Sequence, residues 1–203
     1  MQGIRGLAVV AVVLFHFFPS LLPFGFLGVD VFFVLSGFLI SLVLSRSQPS
    51  LSSLPSFYFK RLRRIFPLFL LLCLLLLLYI DVFRSGESLF YSTRAALSAI
   101  GFVTNLKMTN RDEDYFASLE KANDLFTHTW SLSVEIQFYL VAPIIVFGWA
   151  TLIGANSKPL LIYSFIFTLS LLHFALLPPE EAFNSTAARL WQFVVGMTAF
   201  EIE

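Results

Sequence analysis

The sequence predicts an all-α membrane protein, a polytopic bundle of about six or seven transmembrane helices. Of its 203 residues 58% are hydrophobic and only 13% are charged, whereas roughly a quarter of the residues of a soluble domain carry charge. Several apolar runs approach the ~20 residues that a helix needs to cross the hydrocarbon layer of a bilayer. Basic and acidic residues balance at 13 each, which gives no general basic surface for nucleic acid, and the single cysteine excludes an internal disulfide.

The first predicted span, Gly3 to about Leu22, contains a cation and a histidine inside otherwise continuous hydrocarbon. Arg5 and His16 are eleven positions apart. That separation is close to three helical turns, so both side chains share one face, about 16 Å apart along the axis. An ionisable group at such a depth is costly unless it faces the protein interior or water. The pair therefore indicates a polar path into the bilayer; the alternative is a lone histidine packed between helices and hydrogen-bonded to a carbonyl.

The second predicted span, Leu27 to Leu44, follows a break at prolines and a glycine. Asp30 lies near its entrance, and a carboxylate in a membrane helix usually has a polar task. Ser36 and Gly37 interrupt the apolar run, and close packing of helices at small residues is the simplest interpretation of both.

Four basic residues, Lys60, Arg61, Arg63 and Arg64, directly precede the third predicted span, Phe66 to Val82. The positive-inside rule assigns them to the cytoplasmic side of the membrane. Because two spans come before them, the amino terminus is predicted to be cytoplasmic as well. Anionic headgroups or the phosphates of a ligand are alternative uses of the same charge.

The second half of the chain is predicted to contain three further spans and one ambiguous segment. The ambiguous segment, Leu89 to Thr104, is short for a span and contains Arg94, so it either crosses or lies re-entrant or interfacial. A polar loop follows it and is interpreted as solvated. The three spans are one that begins within the sequence HTWSLSVEIQFYL, His128 to Leu140, and runs to about Ile153, and two more at Leu160 to Leu177 and Ala187 to Phe200.

Four stretches of the chain occur together in a recognisable order. They read QGIRGLAVVAVVLFH, GVDVFFVLSGFLI, KRLRRIFP and HTWSLSVEIQFYL, with RLWQFVVGM as a weaker fifth. In this order they resemble the family-3 membrane acyltransferases, which are multi-span O-acyltransferases. The Arg-x10-His pair that the family requires in its first helix falls on Arg5 and His16. The resemblance implies that residues 1–203 are the amino-terminal part of the family's membrane domain, with further spans after Glu203.

The resemblance also implies a reaction, the transfer of an acetyl or another short acyl group from acyl-CoA in the cytoplasm to a hydroxyl of a glycan or lipid. Such a transfer needs a base that takes the hydroxyl proton and a group that stabilises the oxyanion of the thioester. His16 has a suitable ordinary pKa for the base, and a carboxylate such as Asp30 or Glu135 could orient its imidazole. These three residues are the predicted catalytic set.

Substrate-binding residues are predicted from the same comparison. Arginine binds phosphates through two parallel hydrogen bonds, which suits the phosphates of coenzyme A. Trp130 and Ser131 could bind the acceptor, although anchoring at the membrane interface and helix capping explain them equally well. The full predicted set is Arg5, Arg61, Arg63, Arg64, Ser36, Trp130, Ser131 and Arg189.

Two other classes of protein remain open at this stage. In a transporter or channel, intramembrane Arg, His and Asp side chains would form an ion or proton path. A non-catalytic membrane fragment that binds partner helices is the third possibility. The sequence has no metal-ligand spacing, so no metal and no bound cofactor are predicted; acyl-CoA, a hydroxyl-bearing acceptor and the lipid bilayer are the predicted partners.

Overall fold

The computed structural model describes residues 2–46, 54–83, 86–107, 124–154 and 159–203. The regular secondary structure of these residues is entirely helical. The chain divides into two compact units. The first unit consists of Met1–Leu51, Val141–Leu177 and Ala187–Glu203, and the second of Ser52–Leu140 and Pro178–Thr186.

Nine α-helices and one 3₁₀ turn, Thr127–Thr129, occur in the described residues. The bounds agree with the predicted spans to within a few residues at most ends, and the largest differences have local causes. The first helix ends at Phe17 rather than near Leu22 because Pro19 disfavours helical backbone at the residue before it. The third helix begins at Leu54, well before its predicted span, and includes the basic segment, residues 60–64. The helices are α1 Gln2–Phe17, α2 Leu27–Ser45, α3 Leu54–Phe83, α4 Gly86–Ile100, α5 Thr104–Lys107, α6 Trp130–Ile153, α7 Leu160–Leu176, α8 Pro179–Asn184 and α9 Thr186–Ile202.

Three helical stretches are long and apolar enough to cross a membrane: α2, α3 and the stretch Thr127–Ala150, which contains most of α6. Two shorter helices, α1 and α7, are also apolar. These apolar helices support an integral membrane protein built from helices, whereas the number of six or seven spans stays a prediction.

In the first unit, α1 and α2 pack closely at Gly28. A Cβ atom at Gly28 would lie 2.6 Å from the carbonyl oxygen of Ala8 and 2.7 Å from Cγ2 of Val12, so the position admits no side chain. Glycine at this point lets the two helix backbones approach each other. The face of α1 that carries Ala8 and Val12 is consequently the face that contacts α2.

Helix α2 also packs against α9, and the two run parallel. A Cβ atom at Gly37 would overlap the backbone of Phe193, and one at Gly196 would overlap the backbone of Val34. The rings of Phe33 and Phe193 stack with centroids 4.7 Å apart. Near the starts of the two helices Asp30 lies 2.8 Å from Arg189, and further along the rings of Phe38 and Phe200 lie 5.6 Å apart, so later residues of α2 meet later residues of α9. This order of contacts defines the parallel arrangement.

A hydroxyl from α7 is inserted into the first turn of α9. Ser170 Oγ donates to the carbonyl oxygen of Ala187 at 2.7 Å and accepts from the amide of Trp191 at 2.9 Å. It thereby bridges the two groups that would otherwise bond to each other within α9. Trp191 also contacts the rings of Phe167 and Phe174 edge-on. These contacts dock the carboxyl-terminal half of α7 on the amino-terminal half of α9.

In the second unit, α3 and α4 form an antiparallel hairpin. The ring of Phe102, just after α4, stacks on Phe69 with centroids 5.3 Å apart and lies 6.1 Å from Phe66. Phe102 adopts a left-handed backbone with φ of 53°. Its amide donates to Ala99 and that of Val103 to Ser98, each at 2.9 Å, which is the Schellman arrangement that ends many helices. The chain therefore turns sharply at Phe102 and enters α5.

A buried polar network fixes this turn to α6 and to the start of α9. Gln137 donates to the Phe102 carbonyl at 2.8 Å and to Asn105 Oδ1 at 2.9 Å. Asn105, fully buried, donates to the Asn184 carbonyl and to Thr186 Oγ1, each at 3.1 Å. Thr186 Oγ1 in turn donates to Gln137 Oε1. Buried amides with satisfied partners specify one arrangement of the elements that they join.

Candidate active site

His16 is held in one tautomer by its own helix. Its Nδ1 lies 2.8 Å from the carbonyl oxygen of Val12, one turn earlier. A carbonyl oxygen only accepts, so Nδ1 carries the hydrogen and Nε2 of the neutral ring carries the lone pair. The Phe15 ring meets the imidazole edge-on at a centroid distance of 5.3 Å. The side chain is exposed, and its basic nitrogen is Nε2.

Arg5 lies on the same stripe of α1, at the border of the contact with α2. Arg5, Val12 and His16 fall within about 40° around the helix axis, and Val12 contacts the backbone of α2 at Gly28. The side chain of Arg5 is partly exposed, and its Nε is buried without a hydrogen-bond partner. The predicted stripe of Arg5 and His16 on one face of the first helix is present in the structure.

Asp30 pairs with Arg189 on α9. Arg189 Nη1 donates to Asp30 Oδ1 at 2.8 Å, and the arginine side chain is 4% exposed against 29% for the aspartate. The guanidinium also lies 5.9 Å from the Phe33 ring centroid and 3.4 Å from Gln192 Oε1. Asp30 follows Gly28 by two residues, and side chains two residues apart on a helix point about 200° away from each other. Asp30 therefore lies on the side of α2 opposite the contact with α1. The structure brings Asp30 to Arg189, and its predicted role beside His16 stays a prediction.

Ser36 is buried in the same helix, next to Gly37 and its close contact with α9. This location fits the packing interpretation of Ser36, and binding of substrate by Ser36 remains a prediction.

The four bases that precede the third predicted span have different surroundings. The guanidinium carbon of Arg61 lies 5.0 Å from the centroid of the Tyr139 ring and 5.8 Å from that of Phe57. These are cation–π distances. The side chains of the other three bases are exposed: Lys60, Arg63 and Arg64.

Glu135 accepts a hydrogen bond from the Tyr139 hydroxyl, one turn later on α6. The same tyrosine therefore contacts a predicted catalytic carboxylate through its hydroxyl and a predicted substrate-binding cation, Arg61, through its ring. Close by, Tyr58 donates to the Leu140 carbonyl at 2.9 Å. Within the second unit these bonds attach the amino-terminal part of α3 to α6.

The segment HTWSL, residues 128–132, runs from the 3₁₀ turn into the first turn of α6. Trp130 is buried, with its ring centroid 4.5 Å from that of Phe183, and Ser131 is half-buried. Thr129 shares a hydrogen bond of 2.9 Å with Thr104. The turn before the segment is closed by Asp124, which accepts from the Phe126 amide at 2.8 Å; burial raises the pKa of this carboxyl, while that hydrogen bond opposes the rise. Acceptor binding by Trp130 and Ser131 remains a prediction.

Sequence reasoning missed Tyr139 and Gln137, both on α6 close to Glu135. A signal for Tyr139 was available, because positions i and i+4 of a helix are neighbours and Glu135 is four residues earlier. Gln137 offered no comparable signal, since its partners are 32 or more positions away.

Comparison with known proteins identifies the family of the chain. Residues 1–202 match the model of a family described as an acyltransferase domain, acyltransferase family 3. The chain is 34% identical over 208 residues to the O-acetyltransferase OatA of Staphylococcus aureus, in strain NCTC 8325 / PS 47 and in strain COL. Each alignment covers 97% of this chain and 33% of the relative, so the chain spans about a third of the length of the curated relatives that it matches. No solved structure matches significantly.

The family match covers nearly the whole chain, and the arginine–histidine stripe of α1 lies within it. The chain therefore belongs to acyltransferase family 3.

Proposed function

We propose that this chain is the membrane part of an O-acyltransferase, which moves an acetyl or another short acyl group from cytoplasmic acyl-CoA to a hydroxyl of a glycan or lipid. One observation carries the proposal. The hydrogen bond from His16 Nδ1 to Val12 leaves the lone pair of the neutral ring on Nε2, which is the atom that a general base needs. The relatives are O-acetyltransferases by name, which supports the same reaction class.

The reaction has two proton transfers around one acyl substitution. His16 Nε2 takes the proton of the acceptor hydroxyl as the oxygen attacks the thioester carbonyl. The new C–O bond forms, the C–S bond breaks, and the imidazolium returns its proton to the departing sulfur of coenzyme A. The Val12 carbonyl can keep its hydrogen bond to Nδ1 throughout, so the ring stays oriented in both charge states.

The exposed bases of α3 are the proposed contacts of the donor phosphates. Lys60, Arg63 and Arg64 present their side chains to the exterior, and guanidinium groups bind phosphate oxygens in pairs. Arg5 on α1 is a separate candidate for an anionic group, because its buried Nε has no partner.

We further propose that α4 does not cross the membrane. In the first unit α2 and α9 run parallel, so an odd number of crossings must separate them along the chain. The helices α3, α6 and α7 supply three, and a crossing by α4 would add a fourth. Two local observations support the same view: α4 has only 15 residues, where a span needs ~20, and its end turns back at Phe102 into the buried network of Asn105.

The proposed topology has a consequence for the reaction. With the basic segment of α3 in the cytoplasm, the start of α6 with Trp130 and Ser131 lies toward the opposite side of the bilayer. Donor and acceptor would then approach from different sides.

A transporter is the second candidate, favoured by the ion pair of Asp30 and Arg189, since buried charges in membrane helices often mark ion paths. One experiment separates the two classes. Vesicles that contain the chain receive acetyl-labelled acetyl-CoA outside, and label is then measured as O-acetyl ester on the membrane lipids and on an added oligosaccharide.

The acyltransferase predicts ester formation in wild type, loss of at least 100-fold in His16→Ala, and no loss in Ser164→Ala, a matched change of an exposed residue on α7. Equal ester formation in His16→Ala and wild type would refute the proposed base. Proton or ion flux without any ester would favour the transporter.

A further inference from the structure

Tyr139 occupies an unusual position in the second unit. It is 5% exposed, yet both its aromatic ring and its hydroxyl have a polar neighbour. Its ring lies 5.0 Å from the guanidinium carbon of Arg61, and its hydroxyl donates to Glu135. A buried tyrosine hydroxyl usually finds a hydrogen-bond partner, and the half-buried Tyr58 donates to the Leu140 carbonyl. Tyr139 instead binds a carboxylate.

The geometry of the helix explains how one residue reaches both groups. Glu135 and Tyr139 are four positions apart on α6, so their side chains are neighbours on one face. Arg61 comes from α3, where it is held between the rings of Tyr139 and Phe57. The neighbouring bases Arg63 and Arg64 are exposed by contrast. Arg61 is thus the base of this segment that is anchored to α6.

We infer that Tyr139 is a positioning residue for acyl transfer: its hydroxyl orients the Glu135 carboxylate, and its ring fixes the basic segment through Arg61. The inference rests on the proposed function, which assigns the basic residues of α3 to binding of the donor, and on the sequence-based prediction that Glu135 takes part in turnover. The hydroxyl then affects kcat, and the ring affects the Michaelis constant for acetyl-CoA.

Two substitutions at Tyr139 separate its ring from its hydroxyl. Tyr139→Phe keeps an aromatic face for Arg61 and removes the bond to Glu135. The Michaelis constant for acetyl-CoA is then expected to stay within about twofold of wild type, while kcat falls about tenfold or more, as for loss of a hydrogen bond to a charged group. Tyr139→Leu removes both contacts, so it also raises the Michaelis constant for acetyl-CoA about threefold or more.

Tyr58→Phe is the matched control, because it removes a tyrosine hydroxyl from the same contact between α3 and α6 without touching Glu135. It is expected to leave kcat within twofold of wild type. A structural weakening of this contact would lower activity in Tyr58→Phe as well, so equal losses in Tyr58→Phe and Tyr139→Phe would overturn the inference.

The double variant Tyr139→Phe with Glu135→Gln tests whether Tyr139 acts through the carboxylate. If it does, Glu135→Gln lowers kcat and the double variant loses no more than Glu135→Gln alone. Additive losses, or wild-type turnover in Glu135→Gln, would refute action through Glu135.

A chemical readout keeps this inference separable from the proposed function. Dicyclohexylcarbodiimide modifies carboxyl groups in apolar surroundings, and mass spectrometry locates the adduct. Glu135 is expected to react several times faster in Tyr139→Phe than in wild type or Tyr58→Phe, because the hydroxyl that occupies it is gone. If wild type transfers no acetyl label, the proposed function fails; if Glu135 reacts equally in Tyr139→Phe and Tyr58→Phe, the positioning role fails.

Discussion

Asp30 and Arg189 are 159 positions apart in the chain and joined by a hydrogen bond of 2.8 Å. Each lies seven residues before a glycine at which α2 and α9 touch, Gly37 in one helix and Gly196 in the other. Seven residues are nearly two turns, or about 10.5 Å along a helix. The ion pair and the glycine contact therefore mark the same face of two parallel helices at two depths.

Removing the carboxylate should destabilise the protein. In Asp30→Ala the guanidinium of Arg189, 4% exposed, loses its charged partner. Breaking a buried pair in this way costs about 3–5 kcal/mol, and we expect the lower end because Asp30 is partly exposed. Thermal unfolding of the detergent-purified protein measures the effect as a lower midpoint.

The exchange variant Asp30→Arg with Arg189→Asp is the control for the ion pair. It restores opposite charges at the same two positions, so its midpoint should lie above those of both single exchanges. A double variant no more stable than Asp30→Arg alone would show that the contact contributes nothing as a pair.

The glycine contact makes a second prediction. Gly37→Leu or Gly196→Leu should prevent α2 and α9 from packing, because even a Cβ atom would overlap the facing backbone. We expect loss of the folded protein in both variants, measured by size-exclusion chromatography in detergent. Gly148→Leu is the matched control, since a Cβ atom there would meet nothing within 4 Å. Equal behaviour of all three variants would contradict the close contact.

The contact between α2 and α9 could be predicted from the sequence only in part. The stripe of Arg5 and His16 was predictable because helical periodicity alone determines it, and Gly37 was predicted as a packing position. The partner of Asp30 was not predictable, since any of several distant cations could have satisfied it. The basic segment shows a similar limit. Its four charges look alike in sequence, and only the position of α6 separates Arg61 from its exposed neighbours.

The exposed arginines make a third prediction about the donor. Arg63→Ala with Arg64→Ala should weaken binding of CoA about tenfold or more, because charge-assisted bonds to phosphate are lost. Fold and midpoint should be unchanged, since both side chains are exposed. Displacement of radiolabelled acetyl-CoA by free CoA measures the affinity.

A control for general charge is Arg46→Ala, which removes an exposed cation at the end of α2. Unaltered CoA affinity in the arginine double variant would leave the positive-inside rule as the explanation of the basic segment.

Arg5 makes a fourth, independent prediction. Arg5→Lys keeps the charge on the polar stripe of α1 but removes the planar fork and the buried Nε. Affinity for CoA should fall several-fold without a change in membrane insertion. Wild-type affinity in Arg5→Lys would show that charge alone suffices at this position.

The last prediction concerns the side of the membrane on which the segment between α5 and α6, residues 108–123, lies. This segment is outside the described part of the chain and makes up most of the polar stretch that is predicted from the sequence to be a solvated loop. Asn184 begins an Asn-Ser-Thr glycosylation sequon, residues 184–186, but glycosylation there would be a poor test. Asn184 is 6% exposed and its side-chain amide donates to the Glu180 carbonyl at 3.0 Å, so no modification is expected on either side.

Cysteine labelling is the better test, because the single native cysteine, Cys73, is buried within α3. Asn110→Cys reports on residues 108–123, and Arg46→Cys, at the exposed end of α2, gives the reference for the side that is predicted to be cytoplasmic. Between these two positions lie α3 and α4. If only α3 crosses, an impermeant maleimide added outside intact cells labels Asn110→Cys and spares Arg46→Cys. If α4 also crosses, both cysteines lie on one side and respond alike; that outcome would contradict the odd number of crossings required by the parallel α2 and α9.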